Sequence, residues 1–409
     1  MRIGEFAQKH NITQDTIRHY LDMGLLVTKK DGSHYRFSEA DSKEIDKIIE
    51  LKQLEFSLTQ IQEILCFHRL AGTKTDEYRN YFLHTLETKK EEVIKEQHRY
   101  EEIKSHINKK IDELNTDEVN NNNKLGFPMS SMEIIQCPNC EGTLSIYDGI
   151  IEKNMIINAN LRCRCDYNAI IENGIYIDEK SIRKKMLNGK DMPSKKEFLD
   201  AASPKFVNFF YDGMAMLIDN IREHGDGAKY IMELENCVGT FLMQYMRYLP
   251  SNSTYILIDN DKDRLAKLKN NIELHHKHSN FMFFCCDIDK LPIVNSSIDV
   301  IIDHWMTKNY AQSKNQFLLD IVSPLLKQNG LLVGAYPHFG IGSKNFHGIQ
   351  PEGRDYLKKA KVLEKLNDLS FLRIDVTDIG PIIENNPYNI DIRDKELYLT
   401  IYSGQKGMG

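Results

Sequence analysis

The 409-residue sequence predicts a multidomain chain built from three kinds of structure. A helical head with a β-hairpin wing leads into one long helix. A small cysteine-bearing β module follows, and a doubly wound α/β sheet completes the chain. Three observations predict this. Apolar residues in the first seventy positions recur at helical spacing between capping and turn residues. Two close cysteine pairs sit among β-rich segments. From residue 229 onward, short apolar runs alternate with helical stretches, the pattern of a mostly parallel sheet.

The head is legible element by element. Ile3, Phe6 and Ala7 share one helical face, and Asn11 breaks that helix. Thr13 can cap the next helix, Ile17 and Leu21 form its inner face, and Gly24 stops it. Gln14, Thr16, Arg18 and His19 are then expected on or near its outward face. Residues 29–33 read as a turn and 34–37 as a strand, which places Lys29, Tyr35 and Arg36 in a wing. Ser38 with Asp41, and Ser57 with Gln60, form capping boxes for two further helices. Positive charge is local to Arg18, Lys29, Lys30 and Arg36, although the acids and bases through residue 70 nearly balance. Local charge is what phosphate contact requires.

The run MRIGEFAQKHNITQDTIRHYLDMGLL, then HYRF, then LEFSLTQIQEIL, resembles the winged helix-turn-helix domain of the MerR family of bacterial transcription regulators. His19 stands where that family usually has tyrosine and Leu21 where it usually has an acid. The resemblance implies binding to double-stranded promoter DNA over residues 1–72, through Gln14, Thr16, Arg18, His19, Tyr20, Lys29, Tyr35 and Arg36.

Residues 75–116 predict a long dimerisation helix. Leu86, Val93, Tyr100, Ile107 and Leu114 recur every seventh residue. The positions three residues earlier are Leu83, Lys90, Gln97, Lys104 and Ile111, so the second seam is polar in its middle. That is a two-stranded coil of modest strength, or else a solvated single helix. In the resembling family this helix pairs antiparallel with its twin. A homodimer reading a two-fold operator is therefore expected, with RNA polymerase engaging the promoter and a small-molecule effector acting on the dimer. Residues 117–131, with four consecutive asparagines and Gly126-Phe127-Pro128, read as a linker.

Residues 132–180 hold Cys137-Pro138-Asn139-Cys140 and Cys163-Arg164-Cys165 between β-rich segments. Four thiolates from two facing hairpins make a closed tetrahedral zinc site. A module with so little core folds on its metal. A redox CxxC is the alternative, but the βαβ context is missing. The run CPNCEGTL…LRCRCDYNAIIENGIYI resembles the zinc ribbon fused to some S-adenosylmethionine-dependent methyltransferases.

Residues 190–409 predict strands at 230–234, 254–259, 281–285, 298–303, 330–336, 372–376 and 397–402, the last two as a hairpin edge. Ligands of such sheets lie at the carboxyl ends of the strands. The layout resembles a class I S-adenosylmethionine methyltransferase, a Rossmann-like fold. The resemblance implies that Asp259 faces the cofactor's ribose and Asp287 its adenine, with Glu233 and Gly239 bounding the first loop. Glu235 and Cys237 stand where that loop has glycines. A Cβ at either position narrows the pocket, and Glu235 adds charge beside the cofactor's carboxylate. S-adenosylmethionine is therefore expected to bind weakly or not at all.

No catalytic residue is assigned. Asp303-His304-Trp305-Met306 follows the fourth strand; His304 reads as a base or substrate contact, or more simply as a packed histidine. Asn385-Asn386-Pro387-Tyr388 reads as a turn, and His275, His276 and His278 as a solvated helix end. Cys285 and Cys286 read as space-fillers of a buried strand.

The formal charge is −6, with no global polyanion-binding signature. No run approaches eighteen apolar residues and no apolar signal core opens the chain, so a cytoplasmic location is expected. Three readings follow. The first is a MerR-type regulator whose methyltransferase-like domain senses a ligand, and erosion of the glycine loop favours it. The second is an active methyltransferase fused to its own regulator. The third is a DNA-binding scaffold whose C-terminal domain binds protein.

Overall fold

The computed structural model describes the chain except for residues 33, 73, 117–123, 181–194, 235–238, 276–279, 315, 343–345, 347–348, 350, 388–391 and 408–409. The chain divides into two compact units, Met1–Val119 and Asn120–Gly409. No described helix is long and apolar enough to cross a membrane.

In the first unit, α1 (Ile3–Lys9) and α2 (Gln14–Asp22) are separated by Asn11, which adopts φ 53°. Thr13 Oγ1 accepts the Thr16 N–H at 3.0 Å and caps α2. Gly24, at φ 69°, turns the chain out of α2 in a conformation that costs a side-chain-bearing residue more. The wing is an antiparallel pair, β1 (Lys29–Asp31) and β2 (His34–Arg36), so Lys29 and Lys30 belong to a strand rather than the turn. Both expected capping boxes are present, at Ser38/Asp41 before α3 (Glu39–Gln53) and Ser57/Gln60 before α4 (Leu58–Ala71). The core gathers Phe6, Ile17, Leu25, Ile45, Ile48, Ile61 and Leu65. Phe6 stacks on Phe37 with centroids 4.3 Å apart, which sets the wing against α1. Arg69 donates to the carbonyls of Gly24 and Leu25 at 2.9 and 2.6 Å and so satisfies groups left open beyond α2.

Helix α5 (Asp76–Thr116) runs 41 residues, about 60 Å at 1.5 Å per residue. Its first turns pack Tyr81, Phe82 and Leu86 on the head's core. Farther along, Val93, Tyr100, Ile107 and Leu114 are 49–62% exposed.

The second unit is organised by one twelve-stranded sheet. Its strands are β3 (Phe127–Pro128), β4 (Ser145–Glu152), β5 (Met155–Arg162), β6 (Asn168–Glu172), β7 (Ile175–Ile177), β8 (Tyr230–Glu233), β9 (Thr254–Asp259), β10 (Phe281–Cys285), β11 (Ile298–His304), β12 (Leu326–Phe339), β13 (Phe371–Ile382) and β14 (Leu397–Lys406). The order is β13-β14-β12-β11-β8-β9-β10-β7-β6-β5-β3, with β4 also on β5. Strands β8 to β12 pair in parallel, and β14 runs antiparallel to both β12 and β13. Helices α6 (Lys195–Ala201), α7 (Pro204–His224), α8 (Thr240–Tyr245), α9 (Lys262–His275), α10 (Met306–Lys314), α11 (Leu318–Val322), α12 (Pro351–Arg354) and α13 (Lys359–Asp368) complete the unit.

The seven strands expected over 230–402 are all present, and the last two form the antiparallel edge. Strands β12, β13 and β14 run longer than their apolar cores suggest, because β14 pairs with both neighbours along most of its length. The cysteine-bearing β-sheet is not separate from the α/β sheet. Strand β7 pairs in parallel with β10, in the register Cys285 to Ile177. The expected linker 117–131 lies outside the described residues up to 123. Beyond that, Phe127 is buried and meets Phe284 edge-on at 5.6 Å, and β3 pairs with β5. Apolar cores lie on the two faces of the sheet.

Candidate functional site

On the head, Gln14, Arg18, His19, Lys29 and Arg36 are exposed, and Thr16 and Tyr35 are half-buried. Arg18 is ion-paired with Asp15 one turn earlier, which fixes the direction of its guanidinium on α2. Lys30 Nζ lies over the Tyr35 ring at 4.9 Å, which stiffens the wing. Tyr20 departs from the expectation. It is 3% exposed and belongs to the core, because it follows Ile17 by three residues and shares its inner face.

The four cysteines expected to bind metal converge. All ligand atoms of Cys137, Cys140, Cys163 and Cys165 lie within 4.8 Å of one another. The Sγ atoms of Cys137 and Cys165 are 3.5 Å apart, and those of Cys140 and Cys163 are 3.4 Å apart. A tetrahedral ion with sulfur bonds of about 2.3 Å needs sulfurs roughly 3.8 Å apart, so this donor set fits a metal ion. Hairpin bonds build the geometry. Cys137 N–H donates to the Gly142 carbonyl and Glu141 N–H to the Cys137 carbonyl, both at 2.8 Å. Cys163 N–H donates to the Tyr167 carbonyl at 2.9 Å. A backbone N–H from Cys165 holds the Cys163 thiol down at about 7, where thiolate forms readily. Burial pushes the Cys137 thiol up to about 12, so its thiolate needs a cation beside it.

The four residues expected to bind cofactor also share one edge, at the carboxyl ends of β8, β9 and β10. Two of them are already engaged within the chain. Glu233 is 4% exposed and accepts the Tyr255 hydroxyl at 2.7 Å. Asp259 is fully buried; its Oδ1 accepts from Arg264 Nη2 at 2.7 Å and from the Asp261 N–H at 2.8 Å. Asp287 is exposed beyond β10. Gly239 begins α8 at φ 66°, and a Cβ there would meet Leu268 Cδ1 at 2.4 Å. Glu235 and Cys237 lie outside the described residues.

Sequence reasoning missed Arg264. Its signal was a basic residue five positions after a strand-ending acid, one turn into the following helix. Asp178 was missed as well. It is 4% exposed at the end of β7, and its N–H donates to the Cys285 carbonyl at 3.0 Å. Only the β7–β10 pairing brings it to this edge.

Beyond β11, Asp303 is fully buried. Its Oδ1 accepts the N–H groups of Met306 and Thr307 at 2.9 Å each and caps α10; its Oδ2 accepts the Tyr402 hydroxyl at 2.8 Å. Burial raises this acid above the usual carboxylate range. His304 packs among rings, with Phe210 at 5.1 Å and Phe241 at 5.9 Å. Asn386 is buried, and its N–H donates to Glu384 Oε1 at 2.9 Å. Asn385 Oδ1 accepts from the Asp394 N–H at 3.1 Å. Both serve local structure; Tyr388 lies outside the described residues, as do His276, His278 and the His275 side chain. Cys285 and Cys286 are buried, and burial pushes both thiols up, Cys285 to about 12.

Residues 1–66 match the family model described as MerR HTH family regulatory protein, and residues 237–386 match one described as methyltransferase domain. The HTH-type transcriptional regulator YfmP of Bacillus subtilis (strain 168) is 37% identical over 68 residues, which cover 16% of this chain. The match spans 49% of that relative's length. Among solved structures, phosphoethanolamine N-methyltransferase 2 of Haemonchus contortus is 14% identical, with TM-score 0.38, over 54% of this chain and 61% of its own. The N-methyltransferase NodS of Bradyrhizobium japonicum WM9 is 11% identical, with TM-score 0.35, over 49% of this chain and 98% of its own. The chain carries a MerR-type helix-turn-helix domain at its N-terminus and a methyltransferase domain toward its C-terminus.

Proposed function

We propose that this protein is a dimeric MerR-type transcription regulator whose methyltransferase-like domain senses a ligand. One observation carries the reading. A head with exposed Arg18, Lys29 and Arg36 is joined in one chain to a cofactor edge whose acids, Glu233 and Asp259, are already hydrogen-bonded internally. Gln14, Thr16, Arg18 and His19 read the major groove, and Lys29, Tyr35 and Arg36 hold the backbone from the wing. The heptad seam of α5 makes the homodimer, which matches the two-fold symmetry of an inverted-repeat promoter site. Ligand binding favours one arrangement of the heads and so changes the DNA shape offered to RNA polymerase.

The metal is zinc. Four thiolates at tetrahedral spacing with no open position make a structural site. Its contribution is to fold two hairpins that have little core of their own. S-adenosylmethionine is the first candidate ligand for the edge lined by Glu233, Gly239, Asp259 and Asp287, and its affinity is weak.

Active methyl transfer is the second reading, favoured by the family match over residues 237–386 and by Gly239 in its left-handed conformation. Calorimetric titration of the full chain with S-adenosylmethionine separates the two. The sensor reading expects affinity weaker than low micromolar, with clear tightening in the Glu235→Gly/Cys237→Gly variant. Low-micromolar binding by the natural chain, unaffected by the glycines, puts the enzyme reading first.

A further inference from the structure

The outer face of α7 carries a groove that the carboxyl ends of the strands do not use. Tyr211, Met214, Ala215 and Ile218 fall at helical spacing on one stripe of α7 and form its first wall and floor. The facing wall is Gln244 of α8 with Arg247 and Tyr248, from the single 3-10 turn Met246–Tyr248 that follows α8. The groove between them holds about 370 Å³, within the range of small-molecule sites. Its floor is fixed, because Met214 and Ile218 are buried and belong to the core. Its sides are open. Tyr211 and Tyr248 are each 41% exposed, and two uncovered rings about one hollow mark a surface suited to an apolar ligand.

One charge at this groove is not balanced. Asp219 also lines it, and the Arg222 guanidinium lies 3.5 Å from that carboxylate. Arg222 in turn sits over the Tyr248 ring, 4.8 Å from its centroid. Arg247 approaches the same ring at 6.0 Å, and no acid pairs with it among the described residues. Two guanidinium groups therefore gather at Tyr248 while one acid answers them. The result is a positive charge beside an aromatic face. A guanidinium presents parallel N–H groups in the fork that matches a carboxylate.

We propose that this groove binds an aromatic monocarboxylate, its ring laid on Met214, Ile218 and the two tyrosines and its carboxylate held by Arg247. The groove shares no residue with the edge lined by Glu233, Gly239, Asp259 and Asp287, so it adds a second ligand, of another class, to the reading above. The ligand's charge follows from the residues present. An amine would find Asp219 already paired with Arg222 and would be repelled by Arg247. A phosphate dianion would exceed the one unbalanced charge and meet Asp219 as well. A monoanion matches the wall. The ring follows from the floor and sides, because thioether and aromatic surfaces pack on flat π faces. Gln244 is half-buried, and its amide offers both a donor and an acceptor to the ligand's rim.

The test uses the full chain and calorimetry with 1-naphthoate, 1-naphthylmethylammonium, 1-naphthyl phosphate and cyclohexanecarboxylate. The expected result is that 1-naphthoate binds about tenfold or more tightly than each of the others. Arg247→Gln keeps a polar side chain and removes the charge; it should weaken 1-naphthoate about tenfold, and Arg247→Lys should recover part of the loss. Ala215→Leu fills the groove and leaves every charge in place; it should abolish binding. Arg247 and Ala215 are both exposed, so these variants should melt as the natural chain does, which separates a lost contact from a lost fold. Any other probe binding as well as 1-naphthoate, no binding of 1-naphthoate, or unchanged affinity in either Arg247→Gln or Ala215→Leu would overturn the proposal.

Discussion

Arg264 sets the character of the edge at the carboxyl ends of β8, β9 and β10. Its guanidinium lies on a fully buried carboxylate, and removing one partner of such a pair leaves the other charge buried and alone. Arg264→Ala should therefore lower the unfolding free energy by about 3 kcal/mol, read from urea denaturation. A loss below about 0.5 kcal/mol would mean that the pair behaves like a surface bridge. His304 gives a pH signature. Its imidazole titrates near 4 in the folded chain and near its ordinary 6.5 when unfolded. Between those values the unfolded chain binds more protons, so stability falls as pH drops from 6.5 toward 4 and is fully present above 6.5. The His304→Phe variant should flatten that part of the melting-temperature profile; an unchanged slope would assign it to other groups. On the head, Arg18→Ala or Arg36→Ala should each cost about 1–3 kcal/mol of DNA affinity in gel shifts. Unchanged affinity in both variants would remove these residues from the interface. The exposed Gln14, Arg18 and His19 were legible because helical period sorts faces. Tyr20 was assigned to DNA with the resemblance, while its spacing from Ile17 places it inside.

At the scale of elements, local signals decided what could be read. Strands β9 and β10 match their expected limits, 254–259 and 281–285, because buried parallel strands are continuous apolar runs bounded by polar turns. Both capping boxes were legible for the same reason: each is a four-residue pattern with its own hydrogen bonds. The length of β13 was not, because Leu372 and its neighbours are extended by pairing with β14, a tertiary event. Helix α5 carries the next prediction. Val93, Tyr100, Ile107 and Leu114 stand exposed on one seam, so a charge at its centre should prevent pairing. Tyr100→Glu should sediment as a monomer and lose operator affinity a hundredfold or more, by loss of two-headed binding. A variant that stays dimeric would place the dimer contact elsewhere.

Across the whole second unit, the continuous sheet ties the cysteine hairpins to the carboxyl ends of the parallel strands. Gln136, next to Cys137, donates through its backbone and side chain to the carbonyls of Pro292 and Ile293, at 3.0 and 3.1 Å. Val294 N–H returns a bond to the Ile134 carbonyl at 2.9 Å. These residues follow Asp287 on the same loop. Stripping the metal with a chelator should therefore speed amide exchange at 287–294 as well as at 137–165; exchange confined to the hairpins would show that the two regions are uncoupled. None of this coupling was legible in the sequence, because β7 is three residues long and its partner β10 lies more than a hundred residues away.

We propose above all that the chain reads DNA as a two-fold dimer. Selection of bound duplexes from a random-sequence DNA pool by the full chain, at near-physiological salt, tests it most directly. A two-fold dimer should enrich one inverted repeat, with the two halves read equally and Arg18→Ala weakening both. Enrichment of an unrepeated site, or no enrichment above the starting pool, would contradict it.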